Sequence, residues 1–195
     1  MYKHLLVATD GSNQSDKAVA HAIERDIMYR HLLGAADGSE LSNLAIEHAI
    51  DLARALKAKL TLLHVAGQYP PPMLVDGTVF PTLPQDEHDA AAIKQSQQIL
   101  DPLLARAREA GIECDASHEA DSAAWHAIIA TAERLHCDVI VMGSHGRSGF
   151  ASLIMGSQTQ KVLHHTNLPV LVVRRKKVTT AATAPPMPTI PPAPV

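Results

Sequence analysis

Short apolar runs alternate along this chain with stretches of helical periodicity. LTLLHV (60–65), DVIVMG (138–143) and PVLVVR (169–174) are continuous enough in their apolar character to predict strands covered on both faces. IECDASH (112–118) alternates more loosely and predicts an outer strand of the same sheet. Between them, Ala45, Ile46, Ala49, Ile50, Ala53 and Leu56 form one helical stripe, and Ala124, Trp125, Ile128, Ile129, Ala132 and Leu135 another. Strands alternating with helices imply an α/β fold, a parallel sheet joined by crossover helices. Residues 87–110 also read as helical, with Asp101-Pro102 predicting a kink or a second start before Gly111 ends the run. GQYPPPMLVDGTVFPTLPQ (67–85) holds five prolines and is expected to be a loop, with a lid as its functional reading.

The N-terminal pattern occurs twice. Residues 1–23 (MYKHLLVATDGSNQSDKAVAHAI) and 28–50 (MYRHLLGAADGSELSNLAIEHAI) share 14 identities at a fixed offset of 27, a local tandem duplication of one strand-turn-helix unit. Two copies are too few for a solenoid. The second copy runs into a helix and then LTLLHV with the spacing of a complete βαβ unit, which favours residues 31–36 as the central strand. Intrinsic propensity favours the first, where Val7 and Thr9 stand in place of Gly34 and Ala36. If the first copy took the strand, residues 15–33 could form one long helix. At the other end, VTTAATAPPMPTIPPAPV (178–195) has six prolines and no charge, and is expected to be a disordered, locally extended tail; a proline-rich recognition ligand is its functional alternative.

Composition narrows the classes. With 195 residues, 46% hydrophobic and 19% charged, the chain can bury one good core. A net charge of −3 and a pI near 6.4 mark no nucleic-acid or anionic-membrane binder, and 3% aromatic content argues against base-stacking platforms. No apolar run approaches the roughly 18 residues of a membrane span. Cys114 and Cys137 lack CxxC spacing, and no secretory segment precedes them, so a reducing, cytoplasmic setting and two buried, inert thiols are expected. Trp125, the only tryptophan, reads as a packing residue. The histidines show no HxxxH or HExxH spacing, and adjacent His164 and His165 cannot share a metal, so no metal site is predicted. RRKK (174–177) reads as a solvated charge run.

The chemistry concentrates after DVIVM, in GSHGRSGFASLIMGSQTQKVL. Gly143 is followed by two residues, Gly146, nine residues, then Gly156 and Ser157. Glycines directly after a parallel strand let backbone N–H groups approach a ligand, and Ser157 as N-cap of a helix over 158–166 would set free N–H groups and the helix dipole toward an anion. A glycine-rich turn alone would be weak evidence for a phosphate cradle, but the longer spacing is specific. It resembles the G-2x-G-9x-G-(S/T) motif of the nucleotide-binding universal stress proteins, and the resemblance continues through LLVATDGS or LLGAADGS, LTLLHV, CDVIVMGSHGRSG and GSQTQKVLHHTNLPVLVVR.

That resemblance implies a Rossmann-like open parallel five-stranded sheet in order 3-2-1-4-5, with helices on both faces and a ligand at the switch point. It implies ATP, with or without Mg2+, as the ligand. Asp37 or its duplicate Asp10 would face adenine, Val65 would lie beside the base, and Met142 and Gly143 would wall the sugar and phosphates. Gly146, Gly156, Ser157, Gln158 and Thr159 would hold the triphosphate, with Arg147 and His145 reaching phosphates from the loop. Gln160 stands where many relatives carry Glu. The implied layout is a duplicated segment (1–27), a nucleotide-binding domain (28–177) and the tail (178–195), pairing as a homodimer through Pro169 to Arg174.

Three functions compete: a regulatory, stress-responsive ATP binder; a slow ATPase or adenylyl or phosphoryl transferase; and an interaction module with a vestigial pocket. There is no GxxxxGK[ST] and no carboxylate pair near the glycine loop, so no catalytic residue is predicted and regulation is favoured.

Overall fold

The computed structural model describes residues 6, 8–9, 12–23, 29–68, 73–75, 78–80, 84–145 and 155–175. In chain order the elements are α1 (Asn13–Ile23), β1 (His31–Ala35), α2 (Glu40–Leu56), β2 (Lys59–Ala66), β3 (Met73–Val75), β4 (Thr78–Phe80), α3 (Gln85–Glu109), β5 (Cys114–Ala120), α4 (Ala124–Arg134), β6 (Val139–Gly143), α5 (Ser157–His165) and β7 (Val170–Val173). Five strands form one parallel sheet in the order β5-β2-β1-β6-β7. Counted along the sheet's own strands this is 3-2-1-4-5, as expected.

Successive side chains of β1 enter opposite layers. Leu32 joins Ile46, Ala49 and Ala53 of α2 and Leu100, Leu103 and Ala107 of α3. Leu33, on the other face, packs with Ile128 and Ala132 of α4 and Val162 of α5. Period two in the strand and 3.6 in the helices thus produce two buried layers around one sheet.

The duplicated unit resolves in favour of its second copy, since His31–Ala35 is the central strand. The long helix over 15–33 does not form: α1 ends at Ile23 and the chain is extended by His31. Packing accommodates the weaker strand former. A Cβ on Gly34 would lie 2.7 Å from Ile46 Cδ1, so the absent side chain is the space that α2 fills. Asp138 fixes the strand's start, its Oδ2 accepting from the N–H groups of Arg30 at 2.6 Å and His31 at 2.8 Å.

Two expectations are corrected. The stretch 67–85 is not all loop, because β3 and β4 pair antiparallel with Val75 opposite Thr78. The signal was Asp-Gly between MLV and TVF, a hairpin dipeptide outweighed by the flanking prolines. Of the two readings at Pro102 the second start is the one corrected, since the third helix is continuous over Gln85–Glu109. Its ring and the Gln98 carbonyl that loses a donor both lie on the exposed side, where water can serve that carbonyl, while Ser96, Leu100, Leu103 and Ala107 carry the buried seam past it.

Three crossovers end alike. Lys57 (φ 55°), Gly111 (φ 74°) and His136 (φ 53°) adopt the left-handed conformation, and the next N–H reaches back into the last helical turn. Those bonds are Ala58 N to Ala53 O at 2.9 Å, Ile112 N to Ala107 O at 3.1 Å and Cys137 N to Ala132 O at 2.8 Å. Each reversal buries Ala58, Ile112 or Cys137 at the entrance to a strand.

Asp10, Gly146, Arg147 and the tail beyond residue 175 lie outside the described residues.

Candidate functional site

The carboxyl ends of β1, β2 and β6 and the N-terminal turns of α4 and α5 surround a cavity of about 320 Å3, at the point where strand order reverses. β1 contributes Ala35 and, just beyond it, Ala36 and Asp37. Asp37 belongs to a turn fixed by its own chemistry: its Oδ1 accepts from Ser39 N at 2.9 Å, and Gly38 takes φ 81°. Ser39 then caps α2, its Oγ accepting from Ser42 N at 3.1 Å.

From β2 come Leu63, His64 and Val65. His64 is buried, with its Nδ1 2.8 Å from Ser96 Oγ; since that hydroxyl donates to Ala92 O, Nδ1 carries the proton. The wall is therefore tied to α3. His64, Ser42 and the α4 residues Ala124 and Ile128 were missed in the sequence. A polar residue inside the apolar run of β2 was the available signal for His64; the α4 wall depends on where two helices meet.

On the opposite side, β6 ends at Met142 and Gly143 beneath the start of α5. A Cβ on Gly143 would lie 3.1 Å from His145 O and 3.3 Å from Leu41 O; one on Gly156 would lie 3.1 Å from Ser144 O and 3.2 Å from His145 Cα. Both glycines allow a closer backbone passage than nearly all Cβ atoms keep. Gly156 N donates to Ser144 O at 2.7 Å, and its own carbonyl accepts the first helical bond, from Gln160 N at 3.0 Å. Gly156 is thus the N-cap, correcting the assignment of that place to Ser157, which begins the helix. The reason is steric: the cap residue must pass against Ser144 and His145.

The N–H groups of Ser157, Gln158 and Thr159 precede the first intrahelical bond, so they have no helical acceptor. With the helix dipole they favour an anion at the cavity's edge. Two side chains there hold the scaffold. Thr159 Oγ1 donates to Gly143 O at 3.0 Å, pinning α5 to β6, and Gln158 Oε1 accepts from Trp125 N at 3.1 Å, joining the N-terminal turns of α5 and α4. Of the positions predicted to bind, Asp37, Val65, Met142, Gly143, Gly156, Ser157, Gln158 and Thr159 all line this one cavity.

An open α/β sheet with an apolar slot and an anion-favouring helix start at its switch point is the place where such folds bind ligands. The universal stress protein family model matches residues 28–174, and the chain belongs to that family. It is 32% identical over 178 residues to universal stress protein YxiE of Bacillus subtilis, covering 89% of this chain and 100% of the relative. The solved structure of the MJ0577 protein of Methanocaldococcus jannaschii superposes with TM-score 0.63 at 23% identity, covering 77% of this chain and 99% of that one. An Archaeoglobus fulgidus universal stress protein solved in complex with dAMP gives TM-score 0.53 at 19% identity, covering 76% and 100%.

Proposed function

We propose that this universal stress protein binds an adenine nucleotide, ATP, with or without Mg2+, and acts as a regulator whose nucleotide occupancy and self-association carry the signal. The supporting observation is the convergence on one cavity of the first-turn N–H groups of α5, which have no helical acceptor, and the two closely packed glycines. A phosphate chain suits that end of the cavity because the N–H groups that begin α5, together with the helix dipole, favour an anion. Ala35, Ala36, Val65 and Ile128 offer an apolar slot for a base, and Asp37 can accept from an exocyclic amine. Gly146 and Arg147 would complete the triphosphate loop. The related protein with dAMP supports an adenine base. In this reading residues 28–177 form the binding domain, the 1–27 segment is additional, and two chains pair through Pro169 to Arg174.

Titration calorimetry with ATP tests the proposal. Wild type is expected to bind; Asp37→Ala is expected to weaken binding about tenfold or more, as loss of a charge-assisted hydrogen bond does, and Asp10→Ala to leave it unchanged. Gly156→Val is expected to abolish it. Binding lost with Asp10→Ala but not with Asp37→Ala would refute the site. Phosphate release well above about 1 s⁻¹ in the same samples would instead indicate an enzyme.

A further inference from the structure

We propose that the slot between β2 and β6 accepts either copy of the duplicated unit, so that residues 4–23 form an alternative central strand and helix. The exchange would carry a carboxylate with it, Asp10 in place of Asp37; that consequence alone rests on the nucleotide reading. Residues 12–23 of the first copy already reproduce the local structure of residues 39–50. α1 begins at Asn13, 27 residues before the start of α2 at Glu40. Ser12 Oγ accepts from Ser15 N at 3.2 Å and Ser12 O from Ser15 Oγ at 2.9 Å, matching Ser39 and Ser42 at 3.1 and 2.9 Å.

The buried requirements of the slot recur as well. Leu32, Leu33 and the α2 residues Ser42, Ala45, Ala49 and Ile50 correspond to Leu5, Leu6, Ser15, Ala18, Ala22 and Ile23, all identical. Leu33 is fully buried, whereas Leu6 is 95% exposed, so exchange would give that leucine the cover it lacks. The apparent misfit compensates itself. A side chain at position 34 would strike Ile46 Cδ1 at 2.7 Å, and the first copy pairs Val7 with Val19, which has no such atom. Each copy is matched internally. The preference for the second copy comes from the end of its helix, where buried Ala53 corresponds to Asp26 and half-buried Leu52 to Arg25. With the first copy seated, residues 24–58 would connect it to β2, ample length to leave the sheet.

Thermal unfolding of four full-length variants tests this. Leu5→Asp alone is expected to melt as wild type does. Leu32→Asp, a charge in the middle of the central strand, is expected to retain a cooperative transition at lower temperature because the first copy takes the slot. Adding Leu5→Asp to it is expected to abolish the transition, and adding Asp26→Ala instead to raise it, although Asp26→Ala in wild type changes nothing. The proposal is overturned if Leu32→Asp shows no cooperative transition, or if adding Leu5→Asp leaves its transition unmoved.

Discussion

The imidazole of His31 stands where β1 begins, with Nδ1 3.1 Å from Leu135 O and Nε2 2.8 Å from Thr61 Oγ1. A carbonyl can only accept, so Nδ1 carries the proton and Nε2 accepts from the threonine hydroxyl. Burial is the largest cause lowering its pKa below the ordinary 6.5, and nearby Lys59 adds to it against opposing contributions from Leu135 O, Asp138 and Asp115. The unfolded chain then binds this proton more readily than the folded one. Its contribution to stability is complete above about pH 6.5 and declines as pH falls from there to the lower folded value. Urea midpoints measured from pH 7.5 to 5 are expected to fall with acidification, and His31→Gln to flatten that slope. Burial also pushes the thiols of Cys114 and Cys137 up to about 11, so both stay protonated at neutral pH. A thiol-specific disulfide reagent at pH 8 is expected to label neither until denaturant is added; prompt labelling of the folded protein would contradict the buried, inert assignment. At this scale the sequence exposed the glycines, whose spacing is local. It hid the tasks of Thr159 and Gln158, because their partners, Gly143 and Trp125, come from other elements.

Elements end and pack by rules that a sequence shows unevenly. Gly111 announced its left-handed turn, whereas Lys57 and His136 adopt the same conformation with side chains that resist it. His136 is exposed, so His136→Gly is expected to stabilise the fold by about 0.5–1 kcal/mol, read from chemical denaturation, with relief of backbone strain exceeding the added freedom of the unfolded chain. The choice of central strand shows the opposite case, in which local propensity misleads. β-branched Val7 and Thr9 make the first copy the better isolated strand, yet the second copy holds the slot, and within it Ile46 fills the space of the side chain that Gly34 lacks. In a Leu5→Asp background, which keeps the first copy from substituting, Gly34→Val is expected to cost about 1–3 kcal/mol. Ile46→Val added to it is expected to recover much of that loss. If the double variant is no more stable than Gly34→Val alone, contact with Ile46 is not what selects glycine.

Across the whole molecule, a parallel sheet with crossover helices was legible from the alternation of apolar runs and helical stripes, whereas the strand order and the cavity's position came from the resemblance to the universal stress proteins. The βαβ spacing from residue 31 to LTLLHV located the centre, and the glycine loop carried that resemblance. The small hairpin was not legible, since prolines around Asp-Gly obscured it. Among the described residues the sheet ends at β5 on one side and β7 on the other, and the expected interface lies at β7. Pro169 O and Val173 O accept from Ile140 N and Ser144 N, so the backbone groups of residues 169, 171 and 173 face β6. In parallel pairing a residue's N–H and C=O point to the same side, which turns those of Val170 and Val172 outward. The side chains of Val170, Leu171 and Val172 are only partly covered, giving a second chain both backbone and apolar area to meet. Val172→Pro removes an outward donor and none of the bonds to β6, the position at which an edge strand tolerates proline. If pairing uses this strand, sedimentation equilibrium will show the wild type as a dimer and Val172→Pro as a folded monomer, with the circular dichroism of the two alike. A variant that stays dimeric would place the interface elsewhere, and a variant that loses its fold would show that Val172 N–H serves the chain itself.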